Sequence, residues 1–128
     1  MRARPETLEL IEGYYGAMDD GRLDDCDRYF APDATLRIAH LPEISGWAAI
    51  ASVMRSGLSA PHVEGLVHEV VNAWDEDDGT VIFEVVAHYT LSGGRAVDVP
   101  GVVIATVADG RFTSQRIAAD LSPVYGAA

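Results

Sequence analysis

Four alternating segments make up the second half of the chain, and short turn sequences separate them. The turns are DEDDG at 75–79, SGGR at 92–95 and ADGR at 108–111, the last of which is typical of a tight hairpin. Strands joined by turns this short pair antiparallel with their neighbours in sequence. The pattern therefore predicts a four-stranded meander from residue 62 onward, with a bulge or bend at Pro100–Gly101 in its third long strand.

The first half of the chain has helical periodicity interrupted by one strand. A helix is predicted from Pro5 to the DDG sequence at 19–21, and a short second helix is predicted to end at APD, residues 31–33. The segment ATLRIAHL at 34–41 alternates, which predicts a strand. One face of that strand would carry Leu36, Ile38 and His40.

A third helix is predicted from SGWAAIASVMRSGLSAP, with Ser45 as its N-cap and Gly57 and Pro61 at its end. Three helices, one strand between them and a four-stranded meander indicate an α+β fold. A strongly curved antiparallel sheet wrapped around the three N-terminal helices would close such a fold. At 128 residues the chain has room for one domain, predicted to span residues 1–128.

Charge and composition argue against several classes of partner. The formal net charge is −11, which disfavours binding to nucleic acid and to anionic membrane surfaces. No apolar segment approaches membrane-spanning length, and the single cysteine, Cys26, cannot form an internal disulfide. Cys26 lies on a helical apolar stripe with Leu23 and Phe30, so we expect a buried, unreactive thiol. Together these features predict a cytoplasmic protein.

Polar residues of the first predicted hairpin are the main candidates for a functional site. If the loop comprises residues 75–79, His68 lies opposite Val86 in the antiparallel register. Glu84 and His88 are then the diagonal neighbours of His68 on the same face, close enough for their side chains to touch. This register predicts a patch of two imidazoles and one carboxylate.

Two orientations of this hairpin are compatible with the pattern. The opposite face of the second strand is apolar throughout, so periodicity alone makes it the core face and leaves Glu84 and His88 in solvent. However, Ile82 and Val86 lie on the same face as the patch, and both faces can be buried if the apolar one meets a second subunit in a homodimer. That apolar face comprises Val81, Phe83, Val85, Ala87, Tyr89 and Leu91.

Three phrases of the sequence carry a family resemblance by their order and spacing: YYGAMDDGRLDDCDRYFAPDATLRI, SGWAAIASVM and ADGRFTSQRIAADLSPVY. They resemble the nuclear transport factor 2-like superfamily, in its SnoaL-like or ketosteroid isomerase-like branch, over nearly the whole chain. The resemblance implies a cone-shaped, cystatin-like α+β barrel. Ketosteroid isomerases, limonene epoxide hydrolases, polyketide cyclases, scytalone-type dehydratases and non-catalytic modules all share this fold, so the fold does not select a function.

Matching by position argues against several of these activities. Tyr14 falls where ketosteroid isomerases place the tyrosine that holds the developing oxyanion. The base of the isomerase would fall at Ile38, and its second acid would fall near Gly101–Val102, where no acid exists. The last-strand aspartate of limonene epoxide hydrolases and SnoaL-type cyclases would fall at Ile117. The resemblance therefore implies none of these mechanisms in its usual form.

The local match is better to scytalone- and bile-acid-dehydratase-like enzymes. YYGAMD resembles their Tyr-x4-Asp and gives Tyr14 and Asp19, while HEVVN resembles their His-x3-Asn and gives His68 and Asn72. In that branch the strand histidine acts as a general acid/base beside the helix tyrosine. The resemblance also turns the polar face of the hairpin into the cone, which is the opposite of what periodicity alone predicts.

These residues predict a small-molecule enzyme that needs no cofactor and moves protons beside a carbonyl group. His68 or His88 would remove or return the proton, and Glu84 would orient the imidazole. Tyr14 would donate to the substrate oxygen as charge builds on it. Asp19 completes the catalytic set, although DD before glycine is also typical of a turn. A hydrophobic substrate undergoing dehydration, isomerisation or ring closure would contact Ile38, Trp47, Met54, Val86, Val99 and Ile117.

The sequence leaves other interpretations open. A non-catalytic ligand-binding or dimerisation module is the main alternative, because the signature acids of the better-known activities are missing. Two histidines and a carboxylate can also bind iron or zinc, but no short ligand motif such as HExxH is present, and no metal site is predicted. Tyr14 could simply pack its ring in the helix, and His40 and His62 are expected on the surface.

Overall fold

The computed structural model describes residues 2–126 and has the predicted α+β architecture. The helices are α1 (Pro5–Asp19), α2 (Trp47–Leu58) and the short α3 (Ser122–Tyr125), and 3-10 turns cover Leu23–Tyr29 and Ser92–Gly94. The strands are β1 (Phe30–Ile38), β2 (Ile44–Ser45), β3 (Val63–Asp75), β4 (Thr80–Leu91), β5 (Arg95–Ala108) and β6 (Arg111–Ala119). No helix in the described range is both long enough and apolar enough to span a membrane.

The strands form one six-stranded sheet in the order β2-β1-β6-β5-β4-β3 over the described range. Strands β3 to β6 are the predicted antiparallel meander, and the turns lie where the sequence places them. β1 joins the far side of the meander by pairing parallel with β6. The long α1 contacts β3 and α2 contacts β1, so the two helices cover the concave inner face of the sheet from its two sides.

Two apolar clusters fill the space between the helices and the sheet. The main cluster joins α1, α2 and the inner residues of the sheet, and its largest fully buried side chains are Tyr14, Phe30, Phe83 and Phe112. A smaller cluster of Tyr89, Leu91, Val99 and Val124 lies toward the other end of β4. The apolar face predicted for β4 is therefore the core face, as periodicity alone indicates, and it is not available to a second subunit.

The start of α1 is fastened to the end of β3 by a buried carboxylate. Asp75 is 5% exposed and accepts hydrogen bonds from Thr7 Oγ1 at 2.6 Å and from Arg4 Nε at 3.0 Å. These hydrogen bonds hold the pKa of Asp75 below its usual range, and the bond from Thr7 has the largest effect. The helix is thereby anchored to the sheet at its N-terminal end.

Four local predictions are wrong. The second helix is a 3-10 turn that ends at Tyr29, because Phe30 already pairs with Phe112 and draws residues 31–33 into β1. Ser45 is paired in β2, and Gly46 with φ of 86° precedes α2 without a side-chain cap. His40 lies in a turn beyond β1. Pro100–Gly101 continues the β4–β5 register without a bulge.

The most consequential difference from prediction is a bulge in β3. Near the turn Asn72 lies opposite Glu84, but the register shifts between Val70 and Asn72, leaving Val71 as an extra residue. Beyond this bulge His68 lies opposite Ala87 instead of the predicted Val86. A shift of one residue exchanges the two faces of a strand. His68 consequently shares the inner face of β4, while the side chains of Glu84 and His88 lie on the outer face.

Candidate active site

The C-terminal end of α1 meets β3 through Asp19 and His68. Asp19 Oδ1 lies 2.7 Å from His68 Nδ1, and Asp19 Oδ2 accepts the backbone N–H of His68 at 2.8 Å. Because an ionised carboxylate only accepts, Nδ1 carries the hydrogen, and Nε2 is the unprotonated nitrogen of the neutral ring. Both side chains are largely buried, with exposed fractions of 15% and 12%. A fixed tautomer with a free Nε2 is the arrangement of a general base.

The same contact explains why the chain places an acid at this position. β3 is the outermost strand of the sheet on its side, and an unpaired N–H at a buried edge needs an acceptor. Asp19 supplies that acceptor and orients the imidazole with its other oxygen. Asp19 therefore does more than end the helix, and it takes the orienting position that the sequence analysis gave to Glu84.

Tyr15 packs directly on the imidazole. The Tyr15 and His68 rings are stacked, with centroids 4.4 Å apart and planes inclined by 22°. The tyrosine ring also meets Phe83 edge-on at 6.1 Å, and the residue is 6% exposed. Burial raises the pKa of the Tyr15 hydroxyl above its usual value, so the phenol is neutral at physiological pH. Tyr15 is not among the site residues predicted from the sequence, and its contact with the histidine was missed.

Tyr14 lies deeper in the aromatic core. Its ring meets Phe30 and Phe112 edge-on, at centroid distances of 5.4 Å and 5.6 Å, and the residue is 2% exposed. Burial raises the pKa of its hydroxyl well above the usual value, which keeps the group protonated and able to donate. The ring that stacks on His68 is that of Tyr15.

His88 forms a separate polar cluster on the outer face. Its Nδ1 lies 2.7 Å from Asp98 Oδ1, and its Nε2 lies 2.8 Å from Glu69 Oε1. The three side chains are 40%, 65% and 61% exposed, respectively. Asp98 and then Glu69 raise the pKa of His88 through these hydrogen bonds. The predicted patch of His68, Glu84 and His88 is therefore wrong, because the bulge separates its members onto two faces.

The predicted wall residues lie mostly inside the fold. Met54 belongs to the main cluster and Val99 to the smaller one, and three others pack against the main cluster: Ile38, Trp47 and Ile117. The prediction for Val86 is wrong, because this residue lies on the outer face opposite Glu69 and Pro100.

Small residues occupy positions on the inner face of β4 and β5. Ala87 lies opposite both His68 and Val99, and Gly101 pairs with Ala119 on the next strand. This row runs between the two apolar clusters. A Cβ atom added at Gly101 would lie only 3.3 Å from Ala119 Cβ, so the strands approach closely there.

The best-formed depressions in the surface of the described residues lie away from His68. One of about 380 Å³ lies between the end of α1 and the end of α2, and it is lined by Gly21, Arg22, Leu23, Asp24, Asp25, Arg55, Leu58 and Ser59. The other, of about 120 Å³, is lined by Arg2, Ala3, Leu8, Glu12, Val70, Val71, Asn72 and Ala73. Neither depression is lined by His68, although the first begins two residues after Asp19.

Gln115 is a buried polar residue that the sequence analysis missed. It is 1% exposed and pairs with Leu36 and Ala105 in the sheet. Within residues 2–126, neither Oε1 nor Nε2 of Gln115 has a hydrogen-bond partner. Strict alternation from the buried Phe112 would place residue 115 outward, but the register shifts next to Phe112 and turns Gln115 inward.

Other candidate groups have structural roles. Cys26 is buried, as expected, and burial raises the pKa of its thiol to about 11, which does not suit a nucleophile. His40 is exposed, and His62 is half-buried, with its Nε2 donating to the carbonyl of Val124 at 2.7 Å. No three potential ligands in the described part of the chain are placed to hold a metal ion.

Comparison with known proteins identifies the family of the chain. The family model described as a SnoaL-like domain matches residues 11–115, which is most of the chain. The chain belongs to the SnoaL-like family. The family lies within the nuclear transport factor 2-like superfamily, so the resemblance carried by the sequence phrases is confirmed. No curated protein matches this SnoaL-like chain significantly.

Solved structures share the fold of this SnoaL-like protein from end to end. A polyketide cyclase candidate from Xanthomonas campestris is 25% identical, with 94% of each chain covered and a TM-score of 0.74. An isomerase candidate from Bacillus subtilis is 16% identical, with 95% and 94% covered and a TM-score of 0.80. A protein with a ketosteroid isomerase-like fold from Catenulispora acidiphila, solved with trimethylamine, is 19% identical, with 95% and 91% covered and a TM-score of 0.80. The chain thus has the ketosteroid isomerase-like α+β fold.

Proposed function

We propose that this protein is a cofactor-free enzyme that uses His68 as a general base on a hydrophobic, carbonyl-containing small molecule. The observation that carries the proposal is the contact of both Asp19 oxygens with His68, one with the ring and one with the backbone. Membership of the SnoaL-like family supports a small-molecule enzyme. Loss of a proton beside a carbonyl begins dehydration, isomerisation and ring closure alike.

The proposed first step is a proton transfer between carbon and nitrogen. Nε2 of His68 takes a proton from the carbon next to the carbonyl, and the electron pair of that C–H bond moves onto the carbonyl oxygen as an enolate. Asp19 holds Nδ1–H and stabilises the imidazolium that forms. Tyr14, which remains protonated, is the proposed donor to the developing oxyanion. Return of the proton to another atom, or loss of a leaving group, completes the reaction.

The surroundings of the imidazole support an apolar substrate. His68 stacks on Tyr15 of the main cluster and lies opposite Ala87, which packs against the smaller cluster. A substrate bound there would meet aliphatic and aromatic side chains with few polar partners other than the catalytic ones. Excluding water would also strengthen the contact between imidazolium and Asp19.

Solvent deuterium exchange tests the proposal without knowledge of the natural product. The protein is incubated in D₂O with 1-tetralone, a bicyclic aromatic ketone, and deuterium at the carbon next to the carbonyl is followed by mass spectrometry. Wild-type protein should accelerate the exchange, and His68→Ala should lower the acceleration at least 100-fold while the thermal unfolding transition persists. Equal acceleration by the two proteins would contradict the assignment.

The alternative is a non-catalytic ligand-binding or dimerisation module. It is favoured by the low exposure of His68 and by the outer face of the sheet, which is unusually apolar for a solvated surface. Such a module would retain the ketone unchanged and would give no exchange. The exchange assay therefore separates the two functions.

We also propose that the outer face of the sheet binds a second copy of the chain. Three of the six large apolar residues exposed in the described range lie on this face: Val67, Ile82 and Val102. Glu69 and Glu84 lie toward one side of the face, on β3 and β4, and Arg116 lies toward the other, on β6 and beside Arg37 of β1. A two-fold axis near β5 would bring the basic side of each copy against the acidic side of its partner.

Light scattering tests this interface. Wild-type protein at micromolar concentration should have the mass of a dimer, and Ile82→Glu should convert it to a monomer by burying an unpaired charge. Leu41→Glu, an exposed apolar residue outside the sheet face, should leave the dimer intact. A monomeric wild-type protein, or an unaffected dimer in Ile82→Glu, would contradict the proposal.

A further inference from the structure

We infer that Tyr15 is a positioning residue whose ring holds the His68 imidazole in its productive orientation and stabilises its protonated form. The inference rests on the proposed role of His68 as a general base. It is carried by the stacked geometry of the two rings, at 4.4 Å and 22°, on a tyrosine that is 6% exposed. Tyr15 touches no reacting atom and acts only through His68.

Three contacts limit the movement of the imidazole. The Asp19 oxygens hold Nδ1 and the backbone N–H of His68, which fixes the direction of Nδ1 but does not by itself prevent rotation of the ring about its side-chain bonds. The stacked Tyr15 ring covers one face of the imidazole and blocks that rotation. With one face covered and Nδ1 occupied, Nε2 is the nitrogen left for a substrate.

Tyr15 is itself held in place by its neighbours. Its ring meets Phe83 edge-on at 6.1 Å and the Tyr14 ring at 4.7 Å, so it cannot leave the imidazole without disturbing the main cluster. The imidazole is a neutral ring before proton abstraction and a cation afterwards. An aromatic face in a desolvated site attracts a cation more strongly than a neutral ring, so the contact strengthens as the reaction proceeds.

The hydroxyl of Tyr15 has no part in this role, and this distinguishes it from Tyr14. A phenylalanine at position 15 keeps the stacked face and should therefore keep the function. A leucine at position 15 fills a similar position but has no π face, so the leucine variant should lose the positioning function. Tyr89 offers a matched control, because it is an equally buried tyrosine, 7% exposed, whose ring contacts Tyr125 in the smaller cluster.

The test measures His68 directly in the ligand-free protein, with long-range ¹H–¹⁵N NMR spectra of the imidazole near neutral pH. Wild type and Tyr15→Phe should show the Nδ1-protonated tautomer, and so should Tyr89→Leu. Tyr15→Leu should increase the share of the Nε2-protonated tautomer severalfold. If Tyr15→Leu does not fold, Tyr15→Met serves in its place. A wild-type tautomer in the leucine variant, or an equal change in Tyr89→Leu, would overturn the inference.

A kinetic measurement completes the test. In the deuterium-exchange assay Tyr15→Leu should lower kcat about tenfold at unchanged KM, while Tyr15→Phe should restore kcat. A rise in KM alone would overturn the positioning role, because it would assign Tyr15 to substrate binding. The spectra require no substrate, so failure of the proposed enzymatic function would appear as absent exchange in wild type with the tautomer response intact.

Discussion

The two histidines of the β3–β4 hairpin both contact carboxylates, but they lie on opposite faces of one sheet. His68 on the inner face meets Asp19 through its ring and its backbone, and it is 12% exposed beneath a stacked tyrosine. His88 on the outer face bridges Glu69 and Asp98 and is 40% exposed. Contacts of similar length thus occur in very different surroundings.

The difference teaches that contact distance does not by itself indicate a functional site. The outer cluster is open to water and salt, which weaken its charge interactions, and its ring nitrogens are both occupied by acids. The inner pair is largely buried, and the contact with Asp19 occupies only one of the two ring nitrogens of His68. Of the two histidines, only His68 combines burial with an orienting acid that contacts a single ring nitrogen.

Removing the charge of the orienting acid should have the largest of the expected effects. A weak effect would contradict the functional difference between the inner and outer histidines. Asp19→Asn keeps the size of the side chain but no longer fixes Nδ1–H, so ketone exchange should fall about 10²–10⁴-fold. Glu69→Gln makes the equivalent change at His88 and should leave exchange within twofold. Similar losses in both variants would show that the two faces do not differ in function.

The fold could be predicted from the sequence to a larger extent than the site could. Turn sequences and alternation suffice for the β3–β6 meander, because loop chemistry and side-chain period are local properties. The faces of the hairpin depend on one extra residue, Val71, whose bulge has no local signature in HEVVNAW. The family resemblance correctly predicted that His68 lies on the inner face near Asp19. It also placed Glu84 and His88 on that face, because that prediction used a continuous register between β3 and β4.

The sequence also could not show which tyrosine ring packs on His68. Tyr14 and Tyr15 are adjacent, and both lie near the apolar stripe of α1, so helical period does not choose which ring meets β3. The choice depends on how α1 is rotated above the sheet, which the anchors at Asp75 and Asp19 determine together. Such long-range contacts are not visible in a local pattern.

A smaller effect should distinguish buried from exposed polar residues on the two faces of β6. Gln115→Met removes two buried amide atoms that lack partners among the described residues, and it should raise the free energy of unfolding by about 1 kcal/mol. Arg116→Met, one residue away on the outer face, should change it by less than about 0.5 kcal/mol. Urea unfolding of both variants measures the difference, and destabilisation by Gln115→Met would show that the amide supports the fold.

The smallest effect should come from the outer histidine, through pH. Because the pKa of His88 is raised in the folded protein, its contribution to stability is complete below the pKa of an unfolded histidine, about 6.5, and is lost as pH rises through the folded value. The melting temperature of wild type should therefore exceed that of His88→Gln at pH 6.0 more than at pH 8.5. A difference that grows toward alkaline pH would contradict the assigned contacts.

The most direct test of the account compares His68→Gln with His88→Gln in the deuterium-exchange assay. Both substitutions remove one imidazole from the same hairpin and keep a polar side chain of moderate size. The exchange rate should fall at least 100-fold in His68→Gln and should stay within twofold of wild type in His88→Gln. Equal rates in the two variants, or a larger loss in His88→Gln, would contradict the claim that the inner face carries the chemistry.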